Sequence, residues 1–243
     1  PTMTDNLVPM ANGLFNYLPI DEIVAAFGRS PGNEVQSGKF ENPESSAALA
    51  ANTFGYFMNR PGALPPLFKT EDFGWPATFV TVEQTVPFPW WPRGRHPWLD
   101  AFVETDSHII GIESKRYEPF RGKHKGIFSD AYSRPVWGDQ MQPYEKVRDG
   151  LSDDSLVFNR LDAAQLVKHA FGLRTEGQRR NKKAVLFYLY AEPPYWPDGR
   201  TVNGQHIKQH ENDSQLFADV VSGAEVPFIS CTYQALLTQF EST

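Results

Sequence analysis

Residues 97–120 read PWLDAFVETDSHIIGIESKRYEPF. Trp98–Thr105 and Ile109–Tyr117 are rich in β-branched and aromatic residues, and the Asp106-Ser107 pair between them is a tight-turn sequence. The stretch predicts two strands joined as a hairpin. With the turn centred on that pair, residues whose numbers sum to 213 oppose one another. Asp100 then faces Glu113, and Trp98 faces Lys115. Opposed residues have Cα atoms about 4.5–5.5 Å apart and project to the same side of the sheet. Glu113 and Lys115 are two apart on one strand, so they leave that same side with roughly 6.6 Å of rise between them. Two carboxylates and one ammonium are therefore expected on one patch.

Two carboxylates that close repel each other unless a proton or a cation lies between them. A hard divalent ion such as Mg²⁺ or Mn²⁺ suits such a pair, because it accepts one or two carboxylates and keeps several waters. The plainer alternative is a half-exposed hairpin with ordinary surface charges. Against it, these charges sit among Leu99, Ala101, Phe102, Ile110 and Ile112, where a charge needs a compensating partner. Glu113-Ser114-Lys115 is also the chain's only acid-x-Lys triplet.

Outward from the hairpin, the pattern alternates helices and strands. Ile20, Ile23, Val24 and Phe27 follow helical spacing, closed by Gly28. Pro43 opens an expected helix over Glu44–Met58, and Thr78–Val86 reads as a strand. Helices are expected near Tyr144–Leu151, over Leu161–Leu173 and over His206–Val221. The run AVLFYLYA at Ala184–Ala191 predicts a strand buried on both faces. Val226–Tyr233 and Ala235–Phe240 add a last strand and helix. This order predicts an α/β protein with a mixed central sheet flanked by helices.

Asp100, followed on the next strand by Glu113-Ser114-Lys115, resembles the metal site of the PD-(D/E)XK nuclease superfamily, whose fold is called restriction-endonuclease-like. The αβββαβ core of that fold is matched in order by the helix at 44–58, the three strands, the helix at 161–173 and the strand at 184–191. The resemblance covers about residues 40–192 and leaves an extra C-terminal helix-strand-helix. It implies a Mg²⁺- or Mn²⁺-dependent endonuclease acting on nucleic acid, DNA first. It implies that Asp100 and Glu113 ligate the metal, that the Ser114 carbonyl adds a ligand, and that Lys115 serves the attacking water. Glu44 is the nearest match for the superfamily's acid on the first helix, and Gln165 for its glutamine after the third strand. Two positions depart from the pattern: Leu99 precedes Asp100 where proline is usual, and His169 stands four residues after Gln165 where tyrosine is usual.

The 243 residues are 40% apolar, a length and composition suited to one domain over 1–243. The net charge is −6, from 23 Lys and Arg against 29 acids, which by itself favours no polyanion partner. Basic residues nevertheless cluster: Lys115, Arg116, Arg121, Lys123 and Lys125 lie against Glu118 alone, and Arg174, Arg179, Arg180, Lys182 and Lys183 against Glu176 alone. Both loops are expected to line one cleft, where Arg116, Arg121, Lys123, Lys125, Arg179 and Arg180 contact phosphates.

Cys231 is the only cysteine, which excludes a disulfide framework and suits a reducing, cytoplasmic setting. No apolar run approaches about 18 residues, so no membrane span is expected, and the first ten residues lack the features of a secretory leader. The oligomeric state stays open, a homodimer among the options. Gly28-Arg29-Ser30-Pro31-Gly32 fits the spacing of a hydrolase nucleophile elbow, but a helix precedes it and Pro31 offers no oxyanion N–H, so a helix-ending turn is expected. His206 and His210 are expected as a solvated or capping pair. The loops around Trp90, Trp91 and Trp196 are expected to pack over a sheet edge, with base stacking as the alternative. Two further readings stay open: a catalytically inactive nucleic-acid-binding or scaffolding module, and an acid/base glycan hydrolase. Lys115 argues against the latter, since it depresses a carboxyl pKa that a general acid needs raised.

Overall fold

The computed structural model describes residues 13–30, 38–122 and 128–241. Helix α1 (Ile20–Arg29) buries Ile23, Ala26 and Phe27 and ends where Ser30 donates its hydroxyl to the Phe27 carbonyl at 3.0 Å. Ser30 is thus a helix terminator and no nucleophile elbow. Helix α2 (Ser46–Phe54) begins two residues later than expected, because Ser45, not Pro43, sets its start: the Ser45 hydroxyl accepts from the Ala48 amide at 3.1 Å.

Strands β1 (Phe79–Thr85), β2 (Trp98–Glu104), β3 (His108–Lys115), β4 (Lys183–Tyr190) and β5 (Phe228–Thr232) form one sheet in that order. The first two pairings are antiparallel, and β3–β4 and β4–β5 are parallel. One sheet face, with Ile110, Ile112, Val185, Phe187 and Leu189, packs against α1, α2 and α6 (Tyr233–Glu241). The other, with Ile109, Leu186 and Tyr188, packs against α3 (Gln142–Ser152), α4 (Ala163–Arg180) and α5 (Gly204–Val220). The α/β architecture expected from the sequence, a mixed sheet between helices, is the one observed.

Helix α4 runs 18 residues, well past the expected end at Leu173. Gly172 lies in its interior because the helix closes there onto the β1–β2 connection. A Cβ at Gly172 would stand 2.6 Å from Val86 Cγ2 and 3.1 Å from the Val86 carbonyl oxygen. The helix ends instead at Asn181, in the left-handed region at φ 54°.

The expected solvated histidine pair is also corrected. His210 is fully buried, and its Nε2 lies 2.8 Å from the Tyr188 hydroxyl. Trp90 packs on Phe88 and Trp137, and Trp196 stacks on Tyr117. Cys231 is buried, and among the described residues no helix is long and apolar enough to cross a membrane.

Candidate active site

The hairpin register is the one its turn implies: Ala101 pairs with Ile112, Phe102 with Gly111, Val103 with Ile110 and Glu104 with Ile109. The ladder stops at Ala101. One residue further on, the Asp100 side chain takes over, and its Oδ2 accepts the Ser114 amide at 2.6 Å. Asp100 is thereby held at the point where the two strands part.

Lys115 Nζ donates to Glu113 Oε1 and, at 3.0 Å, to Gln165 Oε1. Glu113 is 1% exposed, and its Oε2 lies 3.2 Å from His169 Nδ1. Gln165 and His169 are four apart on α4, so they present one face to β3. The first turn of that helix is fixed by Asp162, whose carboxylate accepts the Gln165 amide at 3.0 Å. A further acid, Glu118, accepts the Arg116 and Tyr117 amides at 2.8 and 3.0 Å and the Ser46 hydroxyl at 2.5 Å. On the opposite face of β3, the Ser114 hydroxyl lies 2.7 Å from the Tyr233 hydroxyl.

Electrostatics follow from this crowding. Burial, then the Glu113 charge, hold the Asp100 carboxyl well above the usual carboxylate range. Burial also raises Glu113, opposed by Lys115 and reinforced by Asp162 and Glu118. Burial pulls the Lys115 ammonium down, but the charges of Glu113, Asp100 and Glu118 outweigh it, and its pKa lies above the ordinary lysine value. Lys115 is therefore charged. His169 is pushed down to about 3 by burial and by Lys115, so it faces Glu113 as a neutral ring. Lys115, Glu118, Arg160, Asp162 and Tyr188 line a cavity of about 200 Å³ at the surface of this cluster.

Asp100 is brought to Ser114, and Lys115 to Glu113 and Gln165. Glu44 is not part of the group. It lies two residues ahead of α2, its carboxylate paired with Arg121, and Glu118 is the acid bound to that helix's first residue. Arg121 is therefore an ion-pair partner, while Arg116 lies over the Tyr117 ring at 5.7 Å. Lys123 and Lys125 lie outside the described residues.

Among the described residues, the two basic clusters do not line one cleft. Gln165 opens α4 and Arg179 and Arg180 close it, about 21 Å along the axis. The helix ends beside the start of β4, whereas Lys115 ends β3, which is parallel to β4. There Arg179 is paired with Glu176, Arg180 with Glu176 and Glu104, and Lys182 with Glu104.

Sequence reasoning missed Glu118, Asp162 and the part played by His169. Asp162 was detectable, since Asp162…Gln165 is a capping-box spacing at a helix start. Glu118 carried no signal, being the lone acid of a basic loop.

Residues 12–242 match the model of a family described as restriction endonuclease associating with ARP. The chain belongs to this family. No curated protein and no solved structure matches it. Membership agrees with the five-stranded mixed sheet flanked by helices, a restriction-endonuclease-like architecture. The restriction endonuclease family also spans more of the chain than the core at 40–192 and takes in α1, β5 and α6.

Proposed function

We propose that this chain is a divalent-metal-dependent nuclease of the PD-(D/E)XK type that hydrolyses phosphodiester bonds in DNA. One observation carries the reading: a charged Lys115 is held between Glu113 and Gln165 where the Asp100 and Ser114 strands part. Asp100 and Glu113 are two carboxylates in a buried cluster with one ammonium, and Glu118 adds a third negative charge to their surroundings. A cation corrects that imbalance. Among the described residues no three His, Cys, Asp or Glu side chains gather to hold an ion. The proposed donor set is two carboxylates, Asp100 and Glu113, with the Ser114 carbonyl as the further ligand that the resemblance implies, and it suits a hard ion that keeps several waters.

Mg²⁺ or Mn²⁺ bound there supplies the charge that lowers the pKa of water and offsets the charge building on the phosphoryl group. Lys115 is protonated, so its Nζ acts as a hydrogen-bond donor: it orients the attacking water and stabilises the negative transition state. Gln165 fixes that ammonium from the other side, and His169 faces the second oxygen of Glu113. Arg160, on the cavity wall, and Arg116, next in sequence to Lys115, are the basic side chains proposed to take phosphates of the strand. The family description extends the proposal to an association with ARP.

The test is cleavage of duplex, single-stranded and branched DNA with Mg²⁺ or Mn²⁺. Glu113→Ala and Lys115→Ala are each expected to lose about 10²-fold or more in rate. Mg²⁺ is expected to raise the melting temperature of the wild type and not of a protein carrying both Asp100→Asn and Glu113→Gln. Cleavage that survives in both alanine variants overturns the assignment.

A further inference from the structure

A second cavity, of about 380 Å³, opens against the C-terminal half of α4. Its lining includes Trp91, Pro87 and Pro89 from the β1–β2 connection, Gln84 from β1, and Thr175 and Arg179 from α4. We propose that this cavity holds one unpaired nucleobase, so that the nuclease favours DNA with a base out of its stack. The inference rests on the nuclease reading for the source of that base.

All six tryptophans are described, and Trp91 alone is exposed, at 56%. An exposed indole offers a stacking surface. Its placement is built: the Trp91 amide donates to the Phe88 carbonyl at 3.0 Å, and its ring lies 4.8 Å from that of His96. His96 in turn accepts the Phe88 amide on Nδ1 at 3.0 Å.

Arg179 contributes a second planar face. Its guanidinium is 63% exposed yet fixed, with Nε donating to Glu176 Oε2 at 2.8 Å and Nη2 to Oε1 at 2.6 Å. Glu176 is buried and matched by Arg179 and Arg180, so its charge is compensated. An indole and a guanidinium are the two side-chain surfaces on which bases stack most readily, whatever the base. Gln84 Nε2 donates to the Thr85 carbonyl at 2.8 Å and the Thr175 hydroxyl to the Phe171 carbonyl at 3.1 Å, which leaves the acceptor oxygens of both side chains for the polar edge of a base.

Size and charge narrow the ligand. The cavity lies at the small end of the roughly 300–1,000 Å³ of ligand pockets, enough for one nucleotide and too small for a duplex. Arg93 and Arg95, both exposed, follow Trp91 on a loop without an acid between Val86 and Trp98, which suits the phosphates on either side of the base. The cavity lies about 15–21 Å along α4 from Gln165. That is roughly four to six steps of about 3.4 Å on one strand, so the bound base is remote from the cut.

The test compares a duplex carrying one bulged adenine with the same duplex lacking it, with Ca²⁺ in place of Mg²⁺ while affinity is measured. The full-length wild type is expected to bind the bulged duplex about tenfold more tightly. Trp91→Ala is expected to bind both equally, with its melting temperature unchanged, and Trp91→Phe to restore much of the difference. Equal binding by the wild type, or a preference retained in Trp91→Ala, overturns the proposal. Free dAMP that saturates the wild type in the absence of any bulge preference makes this a mononucleotide site, and likewise overturns it. A bulge preference without cleavage by the wild type sinks the nuclease reading and leaves the cavity standing. Cleavage without the preference does the reverse.

Discussion

Lys115 is the residue on which the site turns, because its ammonium bonds Glu113 among carboxylates that are largely withdrawn from water. Removing one member of such a pair strands the other, at a cost of about 3–5 kcal/mol. Lys115→Ala is therefore expected to lower the denaturation midpoint sharply. A double variant, Glu113→Gln with Lys115→Met, is expected to recover most of the stability while remaining without cleavage. A Lys115→Ala protein as stable as the wild type would show that the pair is solvated. At this scale the sequence was informative for Asp100, Glu113 and Lys115, since strand periodicity and one tight turn determine which side chains share a face. It was silent on Glu118, which reaches the site through Ser46, 72 residues away.

Helix α4 carries Gln165 and His169 at one end and Arg179 at the other, so its seating on the sheet governs both cavities. Gly172 lets it close on Val86 and Pro97. Gly172→Ala is expected to cost about 1–3 kcal/mol and to lower the cleavage rate, as Gln165 moves off Lys115. Gly28→Ala, at a helical position with nothing within 4 Å of the added Cβ, is expected to gain up to about 1 kcal/mol. Chemical denaturation of the two variants checks both signs. Helix α5 has its own signature. Burial pushes His210 down to about 4, against about 6.5 in the unfolded chain. The folded state then binds fewer protons, so this stability is present above about 6.5 and lost as the pH falls towards 4. His210→Gln is expected to flatten the melting-temperature profile in that window by about one proton's worth, with His169 still contributing. The kinds and order of these elements were legible from periodicity and capping. The direction of α4 was not, because it follows from the parallel pairing of β3 and β4, which the order of elements leaves open. That is why the described basic residues after β3 and those that close α4, close in expectation, stand at opposite ends of a helix.

The whole molecule carries −6, so a polyanion meets it favourably only at local basic groups. DNA affinity is expected to fall steeply with KCl. Arg116→Gln is expected to reduce the log–log salt slope by about one, as loss of a phosphate contact does. Arg180→Gln is expected to leave the slope unchanged and to destabilise the fold, since its guanidinium already serves Glu176 and Glu104. Titrations at several salt concentrations separate the two. An unchanged slope in Arg116→Gln would place the phosphate path elsewhere.

Asp100 stands where the next cross-strand hydrogen bond of the hairpin would have formed, and the Ser114 amide answers to a side chain instead of to the backbone of β2. A strand amide normally reports only whether its sheet is intact. This one reports the chemical state of a carboxyl group, since protonating Asp100 or drawing its charge toward an ion weakens the acceptor at the other end of the bond. Solvent exchange at a single backbone position thus becomes a readout of site occupancy, independent of any substrate and of any bond being broken.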